Sequence, residues 1–437
     1  MPDVDAAAAA PSVKTGGIRP GEFIGGYKVL QKIGEGGCGA VYMAEQRQPV
    51  RRCVAIKVIK PGMDTRQVVA RFDAERQALA AMDHPGIARV FDAGATPAGR
   101  PFFAMELVRG VPITRYCDEN KLAPRARLEL FIRVCHAIHH AHTKGIIHRD
   151  LKPANILIAI HDGVPSPKII DFGIAKAMHG RLTEATLFTA YEHFMGTPVY
   201  MSPEQAEFSG LPIDARSDVY SLGVLLYELL TGRPPFDPKA FTHGGAAAVR
   251  RIIQEDEPAR PSALLHTFAA AELDTIAQRR GVAPARLSVL LRRELDWVIM
   301  RCLEKDRTRR YDTALDLATD IQRHLENRAV MARPPAPGYQ LRKFVRRNRL
   351  GCVIAVLALS LAGSVAWSAQ LLRREAALLE RARAAEEKSA EAWRAAQQEK
   401  NGSEQMRARL AASFEPGLHS GAPAVAHALA RASSLRE

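Results

Sequence analysis

The sequence has few cysteines and few aromatic residues. Its 437 residues include six cysteines, and phenylalanine, tryptophan and tyrosine together make up 6% of the chain. No two cysteines form a CxxC pair, and none lies beyond residue 372. This usage excludes a small disulfide-built secreted domain and suits a reducing compartment.

The chain also lacks a recognisable secretory signal and internal repeats. Its first twenty residues carry acids near the start and no apolar run beyond five alanines, so they do not resemble a signal peptide. We predict that residues 1–26 form a disordered leader. No period of 20 to 50 residues is present, which excludes a solenoid or a propeller.

The net charge of +14 is concentrated in one short stretch. Lys and Arg number 61 against 47 Asp and Glu, whereas the 47% hydrophobic content is ordinary for a globular protein and excludes wholesale disorder. Residues 328–349 contain seven basic side chains and no acid. We interpret this stretch as a juxtamembrane linker that meets anionic lipid headgroups, with a nucleic-acid patch as the alternative. No nucleic-acid partner is expected.

The basic stretch is followed by 23 uncharged, mainly apolar residues, 350–372. At about 1.5 Å of rise per residue, a helix of this length crosses a hydrocarbon layer of roughly 30 Å. We predict a single-pass protein of the cell membrane. The alternative is a buried helix of a soluble domain. Basic residues tend to stay on the cytoplasmic side, so the region before the span is expected in the cytoplasm.

The body of the chain changes from strand-like to helix-like patterns. β-branched runs broken by glycines extend from about Tyr27 to Ala104, with one helical pattern near 65–82, and helical periodicity dominates from about Pro124 to Leu325. This order predicts an α+β protein with a β-rich lobe, an α-rich lobe and a cleft between them. The segment 258–295 is expected to add surface helices. Residues 373–437 form an Ala-, Glu- and Arg-rich helical tail, either a solvated single helix or a weak dimerising coiled coil.

A glycine-rich loop opens the strand-like region. Gly34, Gly36 and Gly39 form GxGxxG, a pattern whose bare backbone can approach phosphate oxygens. The pattern alone is a weak indication. A strand-like AVYMAE follows it, whereas a dinucleotide-binding fold would place a helix there.

The most specific motifs are HRDLKPANIL, from His148, and DFG, from Asp171. With the glycine loop, VAIK ending at Lys57 and the SPE of Ser202–Glu204, they resemble the protein kinase family, specifically the bacterial eukaryotic-type (Hanks-type) transmembrane serine/threonine kinases. The resemblance covers about residues 27–325. It implies a two-lobed kinase domain at 27–327, with an N-lobe at about 27–108 and a C-lobe at about 109–327.

The resemblance also implies catalytic roles. Asp150 would orient a substrate hydroxyl and accept its proton, and Lys152 would stabilise the moving phosphoryl group. Asn155 and Asp171 would supply oxygen ligands for Mg²⁺, with Mn²⁺ as an alternative. Lys57 would hold the phosphates of ATP. The helical stretch before Met82 contains Glu75, which would pair with Lys57.

A nucleotide pocket is implied by the same resemblance, with Met105 as gatekeeper behind the adenine and Glu106 to Val108 as the hinge. Cys38 stands at the loop tip, where the family often has an aromatic residue. The implied ATP contacts are Ile33, Gly34, Glu35, Gly36, Gly37, Cys38, Gly39, Ala40, Val41, Ala55, Lys57, Met105, Glu106, Val108 and Leu157.

Thr197 and Arg149 bear on the substrate class and on regulation. Lys152 together with Thr197 matches the serine/threonine pattern, so the expected partners are protein substrates with Ser or Thr acceptors. Arg149 beside the catalytic aspartate resembles kinases whose activation loop is phosphorylated. The acceptor candidates are Thr183, Thr186 and Thr189. Dimerisation through the span and tail is expected to promote this autophosphorylation.

The resemblance also implies structural roles at two other positions. Asp218 would support the catalytic loop, and Arg310 would pair with Glu204. The histidines of VCHAIHHAHTKGIIH have zinc-like spacing at His136 and His140, but no HExxH glutamate accompanies them, so the histidines before His148 are interpreted as residues of an ordinary helix. His148 is expected to be a packing residue of the catalytic loop.

Two other classes of function remain as alternatives. A pseudokinase would scaffold partners without phosphoryl transfer, but its usual mark is the loss of a lysine or aspartate that this chain retains. A receptor would sense a ligand through its tail, which has no cysteine framework and little apolar content.

Overall fold

The protein divides into two compact units, Met1–Arg347 and Asn348–Glu437. The computed structural model describes residues 18–36, 39–60, 82–172, 198–206, 213–241, 245–334 and 337–413. The predicted helix near 65–82 lies almost entirely outside these ranges, as do the first 17 residues.

A six-stranded antiparallel sheet forms the N-lobe of the first unit. Its strands are β1 (Phe23–Ile24), β2 (Tyr27–Gly36), β3 (Gly39–Gln46), β4 (Arg52–Ile59), β5 (Val90–Ala95) and β6 (Pro101–Glu106). Their spatial order is β1-β2-β3-β4-β6-β5. The β-branched runs identified in the sequence account for this sheet, because such side chains pack well on a pleated surface.

The sheet begins earlier than the expected domain start at residue 27. Ile24 in β1 pairs with Tyr27, and its side chain is buried in the cluster that covers one face of the sheet. The predicted disordered leader, 1–26, therefore extends too far, since residues 23–24 already form a strand.

The C-lobe combines a small three-stranded sheet with many helices. The sheet contains β7 (Val111–Pro112), β8 (Ile156–His161) and β9 (Val164–Ile169). The helices are α1 (Ile113–Glu119), α2 (Pro124–Thr143), α3 (Pro203–Ala206), α4 (Ala215–Thr231), α5 (Gly245–Gln254), α6 (Pro261–Leu264), α7 (Ala270–Arg279), α8 (Pro284–Leu290), α9 (Asp296–Cys302) and α10 (Ala314–Leu325). The two-lobed α+β prediction is confirmed.

Helix α4 is the centre of the C-lobe. Nearly all of its side chains are buried, as expected for a helix that is apolar on most of its faces. Asp214 caps its amino end by accepting a hydrogen bond from the Arg216 N–H, and Gly232 ends it in a left-handed conformation. A β-carbon on Gly223 would lie 2.4 Å from the Cβ of Cys302, so this glycine allows α9 to cross closely.

The segment 258–295 forms helices, as expected, but it is not only a surface addition. Helices α6, α7 and α8 fall in it, followed by a π-helical turn over Leu291–Leu295. Arg280, directly after α7, is 1% exposed and donates to the carbonyl oxygens of Leu229 and Leu230 at the end of α4. These bonds satisfy terminal carbonyls of the central helix and join the segment to the core.

The expected linker, 328–349, is partly helical. Helix α11 (Pro337–Arg347) belongs to the first unit, and the carboxyl-terminal unit begins with α12 (Arg349–Ser413), a helix of 65 residues. Over the described residues, α12 is the one helix long and apolar enough to cross a membrane, and its most apolar window has a mean hydropathy of 2.2 with none of it buried. Residues 414–437 lie outside the described part.

A buried ion pair joins two distant parts of the C-lobe. The Arg310 guanidinium donates to both carboxylate oxygens of Glu204, at 2.7 and 2.9 Å, and Ser217 donates to the same carboxylate at 2.6 Å. Both charged residues are at most 6% exposed. Burial alone would raise the pKa of Glu204, but the hydrogen bonds from Arg310 and Ser217 hold it below its usual value. The predicted pairing of Arg310 with Glu204 is confirmed.

Replacing Arg310 is expected to destabilise the C-lobe strongly. Arg310→Met leaves the Glu204 carboxylate buried without its countercharge, a change that typically costs about 3–5 kcal/mol. Urea unfolding of the full chain in neutral detergent, followed by circular dichroism, measures the effect. Arg309→Met is the matched control, because the Arg309 side chain is 72% exposed. Equal unfolding midpoints for the two variants would contradict the stabilising role of the buried pair.

Candidate active site

The glycine-rich motif connects β2 to β3. Gly36 pairs with Gly39 across the two strands, and Gly37 and Cys38 between them lie outside the described residues. A β-carbon on Gly39 would lie 2.2 Å from the carbonyl oxygen of Val58 in β4. Glycine is therefore required at this position for β3 to pair closely with β4.

Lys57 reaches the cleft because residues alternate between the two faces of β4. Val54, Ile56 and Val58 are buried in the cluster on one face, so Ala55 and Lys57 belong to the opposite face. The Lys57 ammonium lies 3.1 Å from the Asp171 carboxylate. The structure thus brings together the implied phosphate-binding lysine and an implied metal-binding aspartate, whereas Glu75, the other expected partner of Lys57, lies outside the described residues.

The loop from His148 to Asn155 gathers three of the predicted residues. The Asp150 carboxylate lies 2.9 Å from the Lys152 ammonium. The Asn155 amide donates to the Asp150 carboxylate at 3.1 Å and to its backbone carbonyl at 2.8 Å. Asn155 is 6% exposed, so these bonds also satisfy a buried polar group and hold Asp150 in place.

The buried Asp218 carboxylate fixes the start of this loop. It accepts hydrogen bonds from the backbone N–H groups of His148, at 2.7 Å, and Arg149, at 2.9 Å. His142 contacts it at 2.8 Å. Burial alone would raise the pKa of Asp218, but the hydrogen bond from His142 and the bond from the His148 backbone hold it below its usual value. The predicted supporting role of Asp218 is confirmed.

His148 is a packing residue, as expected. It is fully buried, its ring lies 4.6 Å from the ring of Phe172, and its Nε2 lies 3.2 Å from the Ile170 carbonyl oxygen. Burial lowers the pKa of His148, so the ring stays neutral near pH 7. The neutral ring links the loop that carries Asp150 to the segment that carries Asp171.

The backbone is strained at two points next to these groups. Arg149 has a φ of 63° and Asp171 a φ of 56°, in the left-handed region that residues other than glycine rarely adopt. Such conformations persist where the surroundings impose them. The two Asp218 bonds impose the first of these conformations.

The residues expected to bind a divalent cation have suitable donor atoms. Asn155 uses its amide nitrogen on Asp150, which leaves its Oδ1 as a hard oxygen donor. Asp171 engages Lys57 through Oδ1, and its carboxylate carries a second oxygen. Oxygen donors of this kind suit Mg²⁺, which takes its remaining ligands from phosphates and water. In the part of the chain that the structure describes, no group of three or more His, Cys, Asp or Glu side chains is arranged so that it could hold a metal ion.

The region behind the expected adenine site is nearly filled. Met105, the implied gatekeeper, is 8% exposed and pairs with Ala55 across β4 and β6. It lines a cavity of about 20 Å³ together with Lys57 and Asp171. A space of this size holds about one water molecule.

The hinge segment is anchored through Glu106. Its carboxylate forms an ion pair with Lys168 at 2.9 Å, and its backbone N–H donates to the Arg89 carbonyl at 2.8 Å. Lys168 lies in β9 of the C-lobe, so this pair ties the end of the N-lobe sheet to the C-lobe. Of the other implied nucleotide contacts, Ile33 is 45% exposed, whereas Val41 and Leu157 are half-buried.

The Arg149 side chain is only partly satisfied by hydrogen bonds. Its carbonyl accepts a hydrogen bond from Gln205, but its buried Nε has no hydrogen-bond partner among the described residues. A buried guanidinium nitrogen is costly to leave unsatisfied. The three candidate threonines and Thr197 lie outside the described residues.

Three supporting residues were not identified from the sequence. His142 holds Asp218, Gln205 holds the Arg149 carbonyl, and Lys168 holds Glu106. The histidines up to His142 were interpreted as residues of an ordinary helix, and their backbone does lie in helix α2. These partners lie 56 to 76 residues apart in the chain, and no local motif indicates such pairs.

The chain is similar to known kinases over this region. A family model described as the protein kinase domain matches residues 27–324. The serine/threonine-protein kinase PknB of Mycolicibacterium smegmatis is 35% identical over 316 residues, which is 71% of this chain and 44% of PknB. The serine/threonine-protein kinase Pkn1 of Myxococcus xanthus is 34% identical over 332 residues, 75% of this chain and 43% of Pkn1. The chain thus matches less than half the length of these relatives.

A solved structure agrees on the fold. A crystal structure of the PknI kinase domain of Mycobacterium tuberculosis, a double mutant, superposes with a TM-score of 0.51 at 23% identity, covering 70% of this chain and 99% of that domain. At this identity the likeness concerns the fold alone. The family model, supported by the two serine/threonine kinases, confirms the expected family: the chain belongs to the protein kinases, in the bacterial eukaryotic-type (Hanks-type) serine/threonine group.

Proposed function

We propose that this protein transfers the γ-phosphoryl group of ATP to serine or threonine hydroxyls of proteins. The observation that carries the proposal is the pairing of Asp150 with Lys152 and Asn155 in a loop next to the Lys57–Asp171 pair. Phosphoryl transfer depends mainly on positioning and charge neutralisation, and these five side chains provide both.

The chemistry assigns one step to each group. Asp150 accepts the proton of the substrate hydroxyl while the hydroxyl oxygen forms a bond to the γ-phosphorus. At the same time, the bond between that phosphorus and the oxygen that leaves with ADP breaks. Lys152 neutralises charge on the transferred group, and Lys57 holds the α- and β-phosphates. Mg²⁺, when bound through Asn155 and Asp171, neutralises the phosphate oxygens.

Autophosphorylation belongs to the same proposal. The buried Arg149 Nε, which has no partner within the described ranges, supports a phosphate on the activation segment, because a guanidinium binds a phosphate through two parallel hydrogen bonds. Thr183, Thr186 and Thr189 are the proposed acceptors. The homodimer that would favour this reaction between copies stays a prediction.

The rival function is a membrane-anchored pseudokinase that binds partners without transfer. It would need no proton acceptor and no metal ligands. The retention of Asp150, Asn155 and Asp171, and their contacts with neighbouring groups, favour the enzyme.

Membrane attachment through residues 350–372 is also proposed. Leu350, Leu357 and Leu361 are more than 60% exposed in α12, and no charged residue interrupts the segment. Such a continuous apolar surface is stable in a bilayer and would promote aggregation in water. The kinase domain is proposed to lie in the cytoplasm at the cell membrane, because the basic side chains preceding the span favour that side.

Asp150→Asn is expected to abolish phosphoryl transfer. The full chain in neutral detergent is incubated with Mg²⁺ and ATP and then digested for mass spectrometry. The parent should carry phosphate on Thr183, Thr186 or Thr189, and Asp150→Asn should carry none, because the amide cannot accept the proton. Asp162→Asn, in the exposed turn between β8 and β9, is the matched control and should behave as the parent. Phosphate on none of the three proteins, despite measurable ATP binding, would favour the pseudokinase.

Lys57→Met is expected to weaken use of ATP. Loss of one preorganised cationic contact typically lowers kcat/KM by about 100-fold or more. Steady-state kinetics with a generic protein substrate measure kcat and KM for ATP separately. Lys28→Met, in β2 and away from the cleft, removes the same charge and should change kcat/KM less than about threefold. An unchanged Lys57→Met variant would show that this lysine does not contact ATP.

Introducing two arginines into the apolar segment by substitution is expected to release the protein from membranes. Each charge near the centre of a span costs about 2.5–3.5 kcal/mol on insertion scales. Leu357→Arg with Leu361→Arg should therefore reduce the fraction that resists alkaline extraction. Leu378→Arg with Leu379→Arg, further along the same helix, is the control and should remain in the membrane. Full extraction of the parent chain would contradict membrane anchoring.

A further inference from the structure

Helix α11 is held against the C-lobe by one buried acid. Glu294, in the π-helical turn, is 4% exposed. Its carboxylate contacts the Lys343 ammonium at 2.6 Å, the Tyr339 hydroxyl at 3.1 Å and the His324 ring at 2.7 Å. Lys343 and Tyr339 belong to α11, so part of the predicted linker is a fixed element of the kinase domain.

A cavity of about 540 Å³ lies beside this contact. It is bounded by α2, α8, α10 and α11, all within the first unit. Its apolar lining consists of Pro124, Leu128, Val289, Leu290 and Leu325. Its basic lining consists of Arg125, Arg286, Arg333, Lys343 and Arg346. The volume falls in the range of sites that bind small molecules.

The charge around the cavity is unbalanced. Five basic side chains face a single acid, Glu294, which leaves an excess of four positive charges over the Lys, Arg, Asp and Glu side chains of the lining. Lys343 is paired with Glu294, and Arg125 with Glu129 at 3.0 Å. Arg286 and Arg346 are exposed and have no acidic partner among the described residues. The cavity therefore attracts anions through side chains that are not already neutralised.

The chemical character of the lining selects the class of ligand. An apolar wall with a basic rim suits an amphiphile with an anionic head, whereas a free phosphate would leave the apolar wall uncovered. Arg346 precedes Leu350 by four residues, so the chain allows at most about 14 Å between them. A lipid of the layer that surrounds the apolar segment is thus within reach of the basic rim.

We infer that this cavity binds one anionic phospholipid, with Arg286 and Arg346 on its phosphate and the leucine-rich wall against the start of its acyl chains. The physiological source of the lipid rests on the proposed membrane attachment. Binding itself does not, because the lipid can be supplied in solution. The site would couple the C-lobe to the composition of the membrane.

Native mass spectrometry of the full chain in neutral detergent tests the inference. Phosphatidylglycerol is titrated in, with phosphatidylcholine as the uncharged reference and glycerol phosphate as the soluble source of the same anion. The parent should retain one phosphatidylglycerol in preference to phosphatidylcholine and should not retain glycerol phosphate. Arg286→Gln with Arg346→Gln should weaken phosphatidylglycerol binding by about 30-fold, the effect of two headgroup contacts.

The matched control is Arg47→Gln with Arg51→Gln, which removes the same charge from exposed positions of the N-lobe. It should bind the lipid as the parent does. Equal losses in both double variants would show unspecific adsorption and overturn the site, as would equal binding of the two lipids. If glycerol phosphate were retained as tightly as phosphatidylglycerol, the ligand would be a soluble phosphate, and the proposed lipid site would be overturned. Because the readout is binding, failure here is distinguishable from a lack of kinase activity or of membrane attachment.

Discussion

The arrangement of the active site depends on the buried carboxylate of Asp218. It accepts the N–H groups of two consecutive residues, His148 and Arg149, and so orients the chain just before Asp150. A buried carboxylate is stable only when hydrogen-bond donors surround it. His142 supplies a further contact from α2, so three elements of the C-lobe meet at one side chain. Arg149 can then be held at a φ of 63°, which the local sequence alone would not favour.

Two buried ion pairs extend this constraint outward. Arg310 and Glu204 join the end of the C-lobe to the segment after the activation region, and Ser217 links them to α4, the helix that also carries Asp218. The Glu294 cluster similarly fixes α11. In each case one acid collects donors from several elements, and removing a donor would leave a charge in an apolar surrounding. The C-lobe is therefore organised around a few satisfied carboxylates in addition to its apolar core.

Much of the site was predictable because catalytic groups occur in short motifs. Asp150, Lys152 and Asn155 lie within six residues, so their proximity follows from the local chain. Lys57 was predictable as a cleft residue, since β4 alternates between a buried face and the other face. The supporting contacts were not predictable in this way. His142 and Asp218 are 76 residues apart, and His142 looks like any other histidine in a run of five. The predicted disordered leader wrongly included β1, because a strand of two residues is too short to show a periodic pattern in the sequence.

The sequence by itself determined the two-lobed class, the identity of the groups that carry the chemistry and the position of the apolar segment. These properties follow from local sequence patterns, namely strand alternation, helical periodicity, motif spacing and a long uncharged run. Apart from the pair of Arg310 and Glu204, which the family resemblance implied, only the tertiary structure decided which distant side chains neutralise one another. It showed that Lys57 contacts Asp171, that Glu106 contacts Lys168, and that part of the basic stretch forms helix α11, which Glu294 holds through Lys343. The physical reason is that a buried charge needs a partner in space, and folding can bring that partner from any part of the chain.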